Sequence, residues 1–248
     1  MKKLTLTLLI LLPALSGVQA QLLKNLEKGA KNILGSGSTG ELTTSEIGQG
    51  LKDALSKGVQ KGVNELSATD GYFKSTLYKI LLPEEARKVT DKLKAVPGFS
   101  NLEADLVEKM NRGAENAAKE AGPIFASAIT GMTFQDALDI LMGADNSATV
   151  YLRKTTYQQL YEKFNPVIVK ALDEIGANEL WRNASNAYNK IPLVTKVNND
   201  LDDHVTTRAL DGLFGKIQEE EKNIRRNPVT RTSDLLKKVF SKQDSNRK

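Results

Sequence analysis

Apolar residues recur at three- and four-residue spacing along almost the whole chain, the pattern of amphipathic helices. Over residues 45–66 the series Ile47, Leu51, Leu55, Val59, Val63 and Leu66 marks one helical face. Beside it run Gly50, Ala54, Gly58 and Gly62, spaced four apart. A helical glycine costs roughly 0.8–1 kcal/mol relative to alanine. The small-residue stripe is therefore expected to receive a close neighbour, either another helix or a ligand pressed on the backbone. Pro83 fits the first position of a short helix, with Glu84 and Glu85 in its first turn. Ser100-x-x-Glu103 reads as a capping box for a helix carrying "NRGAENAAKEAGPIF" (111–125), with a bend at Gly122-Pro123. Thr133-x-x-Asp136 caps the next helix and Gly143 ends it.

Further on, Asp145 or Ser147 opens a helix expected to run to about Phe164, where Pro166 restarts the chain. Gly176 closes that unit, Trp181 and Tyr188 sit on another helix, and a long helix over about 200–226 is stopped by Asn227-Pro228. Ser233 starts a last short helix. No segment alternates as a half-buried strand does. The pattern predicts an all-α fold, a single compact multi-helix domain of about eight to ten helices with no substantial sheet.

The N-terminus differs in kind. Lys2-Lys3, an apolar run from Leu4 to Leu15 and Val18-Gln19-Ala20 read as a signal peptide for cleavage after Ala20. Residues 22–34 form a short basic amphipathic helix, with Leu22, Leu26, Ala30 and Ile33 opposite Lys24, Lys28 and Lys31. "GSGSTG" (35–40) then reads as a linker. The expected organisation is a signal peptide (1–20), helix and linker (21–42), helical domain (43–241) and polar tail (242–248). This implies a periplasmic, exported protein. It also raises a peripheral membrane contact through 22–34, against the plainer reading that this helix packs on its own domain.

Charge adds little. The chain of 248 residues has a net charge of +5, and loss of Lys2 and Lys3 leaves 33 basic against 30 acidic residues. That excess, with no basic block interleaved with aromatics, gives no basis for nucleic-acid binding. There is no cysteine, so thiol chemistry, disulfides and a lipid-acceptor Cys are absent. The single histidine, His204, has no His or Cys companion for zinc. Asp136, Asp139 and Asp145 read as helix surface and cap positions rather than a cation site. No phosphate-binding loop, dinucleotide fingerprint or nucleophile elbow occurs. No metal, cofactor or catalytic residue is assigned.

Two groups of side chains remain. On a wheel of about 100° per residue, Met110, Ala114, Ala117, Ala121, Ile124 and Ala128 share the apolar face. Glu108, Arg112, Glu115 and Lys119 lie opposite and alternate in sign, as a solvated ladder would; Asn111 sits at the border. In the C-terminal helix Glu221 falls inside the apolar arc, between Leu210 and Phe214, with Arg225 one turn on. A carboxylate there must be paired. Arg153 likewise falls between Leu160 and Phe164. The expectation is a partly buried network joining Glu221 to one or more of Arg225, Arg153 and Arg112, with Asn111 and Glu115 included if a second layer covers them. The second group is aromatic. Tyr151, Tyr157, Tyr161, Trp181 and Tyr188 cluster in sequence and could line a ligand or partner surface, although Tyr157 and Tyr161 lie on the apolar face.

The stretches "GLKDALSKGV" (50–59), "DGY" (70–72), "LLP" (81–83), 111–125, "DALDILMGADNSATVYL" (136–152), "FNPVI" (164–168), "ALDGLFGKIQEEEKNIRRNP" (209–228) and "LLKKVF" (235–240) resemble a bacterial exported family known as domain of unknown function 4197. Members usually carry alanine where this chain has Gly113. The resemblance implies one helical domain in the cell envelope and brings no activity with it. The leading expectation is thus a non-enzymatic helical protein binding an apolar small molecule or an envelope protein. A hydrolase using Glu221, perhaps with Asp211, is the alternative.

Overall fold

A capping box starts the first helix. Thr43 accepts from the Glu46 N–H, and the Glu46 carboxylate accepts from the Thr43 N–H at 2.7 Å. The computed structural model describes residues 43–174, 176–197, 201–231, 234 and 237–240; the expectations for 1–42, including the signal peptide and the helix over 22–34, lie outside them. The helices are α1 (Thr44–Ser67), α2 (Glu84–Leu93), α3 (Leu102–Ala118), α4 (Ala121–Thr130), α5 (Phe134–Met142), α6 (Ser147–Glu174), α7 (Ala177–Asn189) and α8 (Asp202–Arg226), followed by a 3-10 turn at Pro228–Thr230. Residues 237–240 are helical as well, and no strand occurs among the described residues. The all-α architecture is as the apolar periodicity requires.

Helices α6 and α8 form the central pair. Along α6 the buried positions fall at every fourth residue: Ala148, Leu152, Thr156, Leu160, Phe164, Ile168 and Leu172. Each step of four turns about 40° past a full circle, so this stripe winds around the helix. Such a helix needs neighbours on several sides, and α3, α4, α5, α7 and α8 all pack on it. The small-residue stripe of α1 meets α8. A Cβ on Gly58 would lie 3.6 Å from the Glu220 Cβ, and one on Gly62 3.4 Å from the Lys216 Cγ. The neighbour is a helix, and a methyl group would just fit.

Three expectations about breaks and caps need correction. Helix α6 runs unbroken through Pro166. The missing N–H and the ring clash cost about 3 kcal/mol. Phe164 and Ile168, fully buried on either side, each return about 1.5–3 kcal/mol. Ser100 and Glu103 form no capping box; α3 starts after Asn101, whose side chain makes no cap bond. The turn between α3 and α4 falls at Lys119–Glu120, and Pro123 sits inside the first turn of α4, where an absent N–H leaves nothing unsatisfied. Thr133 and Asp136 do form the expected box, and Gly143 is the C-cap of α5, its N–H donating to the Ile140 carbonyl.

Candidate functional site

Glu221 lies 6% exposed and Arg225 1% exposed, one turn apart on α8 and joined at 2.9 Å. One Glu221 oxygen also accepts from the Ala148 N–H at 2.9 Å. The other accepts from the Thr149 N–H and the Thr149 hydroxyl, both at 2.8 Å. These donors are the open N-terminal amides of α6, so Glu221 caps that helix from outside and sits at the positive end of its dipole. Arg225 does the reverse for α5, donating to the Ile140 carbonyl at 2.6 Å and to Leu141 at 3.4 Å. One ion pair thus ties a helix C-terminus to the next N-terminus. Arg231 closes α8 itself, donating to the Ile224 and Arg225 carbonyls, and both guanidiniums lie over the Phe240 ring.

This geometry suits fastening rather than proton transfer. A carboxylate has about four lone-pair sites, and four donors converge on the two Glu221 oxygens. The void beside it measures about 20 Å³, room for one water at most. Asp211 stands ten residues away on the same helix, about 15 Å along the axis, so the two carboxylates cannot share one scissile bond.

Of the expected solvated ladder, Glu108 and Lys119 are exposed and Glu108 pairs with Arg112 at 3.5 Å, but Glu115 is not solvated. Asn111 and Glu115 are buried, beneath a second layer made by the irregular segment 68–82. One Glu115 oxygen accepts from the Tyr72 N–H at 3.2 Å and the Phe73 N–H at 3.1 Å; the other takes Arg112 at 2.9 Å. Arg112, its side chain 31% exposed, also reaches Asp70 at 2.8 Å and lies over the Phe73 ring. Its hydrogen bonds to Glu115 and Asp70 raise its pKa further. Asn111 holds both backbone groups of Ile80, accepting from its N–H and donating to its carbonyl, each at 2.8 Å. The Tyr72 hydroxyl, buried completely, donates to the Ala209 carbonyl at 2.6 Å. Sequence reasoning missed this partner segment. Its signal was Asp70-Gly71, a turn dipeptide: Asp70 has φ of +70°, and a Cβ on Gly71 would collide with the Glu65 and Leu66 carbonyls.

The single network expected around Glu221 is therefore two. Arg225 joins Glu221; Arg112 joins Glu115. Arg153 belongs to neither: it pairs with Asp211 at 2.6 Å near the surface and covers the Tyr157 and Phe214 rings. The aromatic group does not form one surface. Trp181 and Tyr188 are buried in the core, Tyr157 stacks on Phe214, the Tyr161 hydroxyl donates to Asp203 at 2.7 Å, and Tyr151 is half-buried at the opposite end of α6. They share a helix and its neighbour because that is where the core is.

A further ionic cluster escaped notice. Lys216 binds Glu65 at 2.7 Å, Glu219 at 3.2 Å and Glu220 at 3.4 Å, and Lys61 binds Glu220 at 2.8 Å. The Tyr78 hydroxyl donates to Glu219; burial and that carboxylate push its pKa up to about 12.

The open feature of the molecule is a groove of about 540 Å³ between residues 77–84 and the start of α8. Leu77 and Leu81, 75% and 56% exposed, stand along it with Arg87, His204 and Arg208. His204 makes a 2.9 Å hydrogen bond with the Leu81 carbonyl and so ties the wall to α8. A shallower hollow of about 410 Å³ lies beyond Leu77 and Tyr78, edged by Asp70, Lys74 and Lys216. Among the described residues no group of three His, Asp or Glu side chains could hold a metal ion, and no helix is long and apolar enough to cross a membrane.

Fold and site together define an all-α domain whose buried charges fasten helix ends and one irregular segment beside an open groove. The chain belongs to the family described as protein of unknown function (DUF4197), whose model matches residues 41–241. No curated protein and no solved structure matches it.

Proposed function

We propose that the chain is exported to the cell envelope and acts there as a non-enzymatic helical binding protein, with the groove between residues 77–84 and α8 as its docking site. The observation that carries this reading is the fixed groove wall. Ile80 is held through both backbone groups by Asn111, Leu81 is tied to His204, and Tyr72 anchors the segment to Ala209. A segment immobilised in this way has already met the ordering cost of binding, yet it presents Leu77 and Leu81 to solvent. Export rests on the sequence of residues 1–20, which reads as a signal peptide with a cleavage position after Ala20.

Native mass spectrometry of protein purified from the periplasm tests both parts. The account expects a chain beginning at Gln21 that carries a ligand or partner, and loss of that adduct in Leu81→Glu. A chain retaining residues 1–20 would contradict export. A wild-type protein with no adduct, partner or oligomer would contradict binding.

A further inference from the structure

We infer that the groove takes an anionic amphiphile, a single acyl chain ending in a carboxylate or phosphate. This rests on the binding reading and names its ligand class. The charge balance comes first. Besides Tyr78, six ionisable side chains line the groove: Lys79, Glu84, Arg87, His204, Arg208 and Asp211. Its two acids are engaged elsewhere. Glu84 pairs with Lys88 at 3.2 Å, and Asp211 pairs with Arg153 at 2.6 Å; neither Lys88 nor Arg153 lines the groove. The cations are only partly matched in return. Arg87 has no carboxylate partner among the described residues. Lys79 lies over the Phe73 ring at 4.6 Å, and Arg208 reaches the already paired Asp211 only at 3.6 Å.

The hollow on the far side of Tyr78 provides the contrast. There Lys74 meets Asp70 at 2.8 Å, a carboxylate it shares with Arg112, and Lys216 meets Glu65 and Glu219, so three acids face two cations in that lining. Unmatched positive charge is a property of this groove rather than of the whole surface. In a concave site with low-dielectric walls such charge attracts an anion, and two guanidinium forks suit a carboxylate or phosphate.

The apolar half of the ligand follows from the same wall. Leu77, Ile80, Leu81, Leu82 and Pro83 line the groove together with the cations, Leu77 and Leu81 being the exposed members. These groups are aliphatic. The two aromatic rings in the lining are engaged with the protein, the Tyr78 hydroxyl with Glu219 and His204 Nε2 with the Leu81 carbonyl. An acyl chain fits such a surface better than a nucleobase, which needs aromatic faces for stacking. The volume of about 540 Å³ falls within the range of small-molecule sites, about 300–1,000 Å³.

Isothermal titration of the mature chain tests this with three probes below their micellar concentrations: myristate, lysophosphatidylglycerol and the uncharged monomyristoylglycerol. At least one anion should bind about tenfold or more tightly than the neutral lipid, a difference of about 1.4 kcal/mol. The tighter of the two anions identifies the head group. Arg87→Ala and Arg208→Ala should each weaken the anion about three- to tenfold and leave the neutral probe unchanged, whereas Leu81→Ser should weaken all three. Unchanged thermal unfolding of these surface variants shows that the fold is retained. Equal affinity for charged and neutral probes, or anion binding indifferent to both arginines, overturns the inference while the binding reading stands. A polypeptide retained in the groove in native mass spectrometry does the same. No binding of any probe overturns the amphiphile, and an adduct-free native protein then overturns the binding reading too.

Discussion

Glu221 with Arg225 and Glu115 with Arg112 are the same device used in two settings. In each, a carboxylate accepts two successive backbone N–H groups from another part of the chain and is neutralised by an arginine one turn away on its own helix. The first pair is buried and joins two helix ends. The second leaves Arg112 a third exposed and fastens a segment with no regular structure. The difference lies in what each clip replaces. Helix ends would find other partners at some cost, since unsatisfied terminal amides and carbonyls are a general problem. Segment 68–82 has no hydrogen-bonding ladder of its own, so its position depends on side-chain fastenings, Asn111 and Glu115 from α3 and the Tyr72 and His204 ties to α8. The first clip therefore serves global stability, and the second sets the shape of the groove wall.

The largest effect that separates them is on Glu221→Gln. An amide NH2 would replace one acceptor oxygen and leave Arg225 buried without its counter-charge. Urea unfolding should show a loss of about 3–5 kcal/mol, as for other broken buried pairs. Arg225→Met should cost a similar amount. A loss under about 1 kcal/mol in either would place this pair with surface ion pairs and erase the contrast.

Glu115→Ala and Asn111→Ala come next. Each leaves backbone groups of segment 68–82 without partners, for about 1–3 kcal/mol. Proteolytic nicking within 68–82 should rise more than global stability falls, which limited proteolysis alongside urea unfolding would show. Arg153→Ala serves as the exposed counterpart. Its bond to Asp211 is short but lies at the surface, so the loss should be about 0.2–1 kcal/mol and should shrink in high salt.

The smallest effect is on pH. Lys74 and then Arg112 hold the Asp70 carboxyl below its ordinary range. A depressed folded pKa means that its support is present above the unfolded value near pH 4 and fades as pH falls through the folded value. The Asp70–Gly71 turn should loosen in acid before the rest of the domain, as amide NMR would report, and Asp70→Asn should remove that early step.

The helices were legible because their cores repeat. Ile47 to Leu66 and Leu210 to Ile217 mark their faces without any tertiary information. The wheel located Glu221 correctly for the same reason, since its neighbours on the arc are buried by other helices. It misplaced Glu115 because the covering layer is irregular and has no period to detect. Pro166 misled for a different reason: its backbone cost is local and visible, whereas the burial of Phe164 and Ile168 that offsets it depends on packing across the fold. The aromatic residues between 151 and 188 were grouped by sequence distance, and the fold turns most of them inward. The groove was not legible at all. Its cations come from segment 77–84, α2 and α8, and their excess appears only once Glu84 and Asp211 are seen to be paired outside it.

Amide hydrogen exchange in the wild type, Glu115→Ala and Glu221→Gln tests the division of labour most directly. Glu115→Ala should speed exchange at Tyr72 and Phe73, whose N–H groups its carboxylate accepts, while Ala148 and Thr149 stay protected. Glu221→Gln should expose Ala148 and Thr149 and lower protection throughout the core. Unchanged exchange at Tyr72 and Phe73 in Glu115→Ala, or a loss at Ala148 and Thr149 in that same variant, would contradict the account of two separate clips.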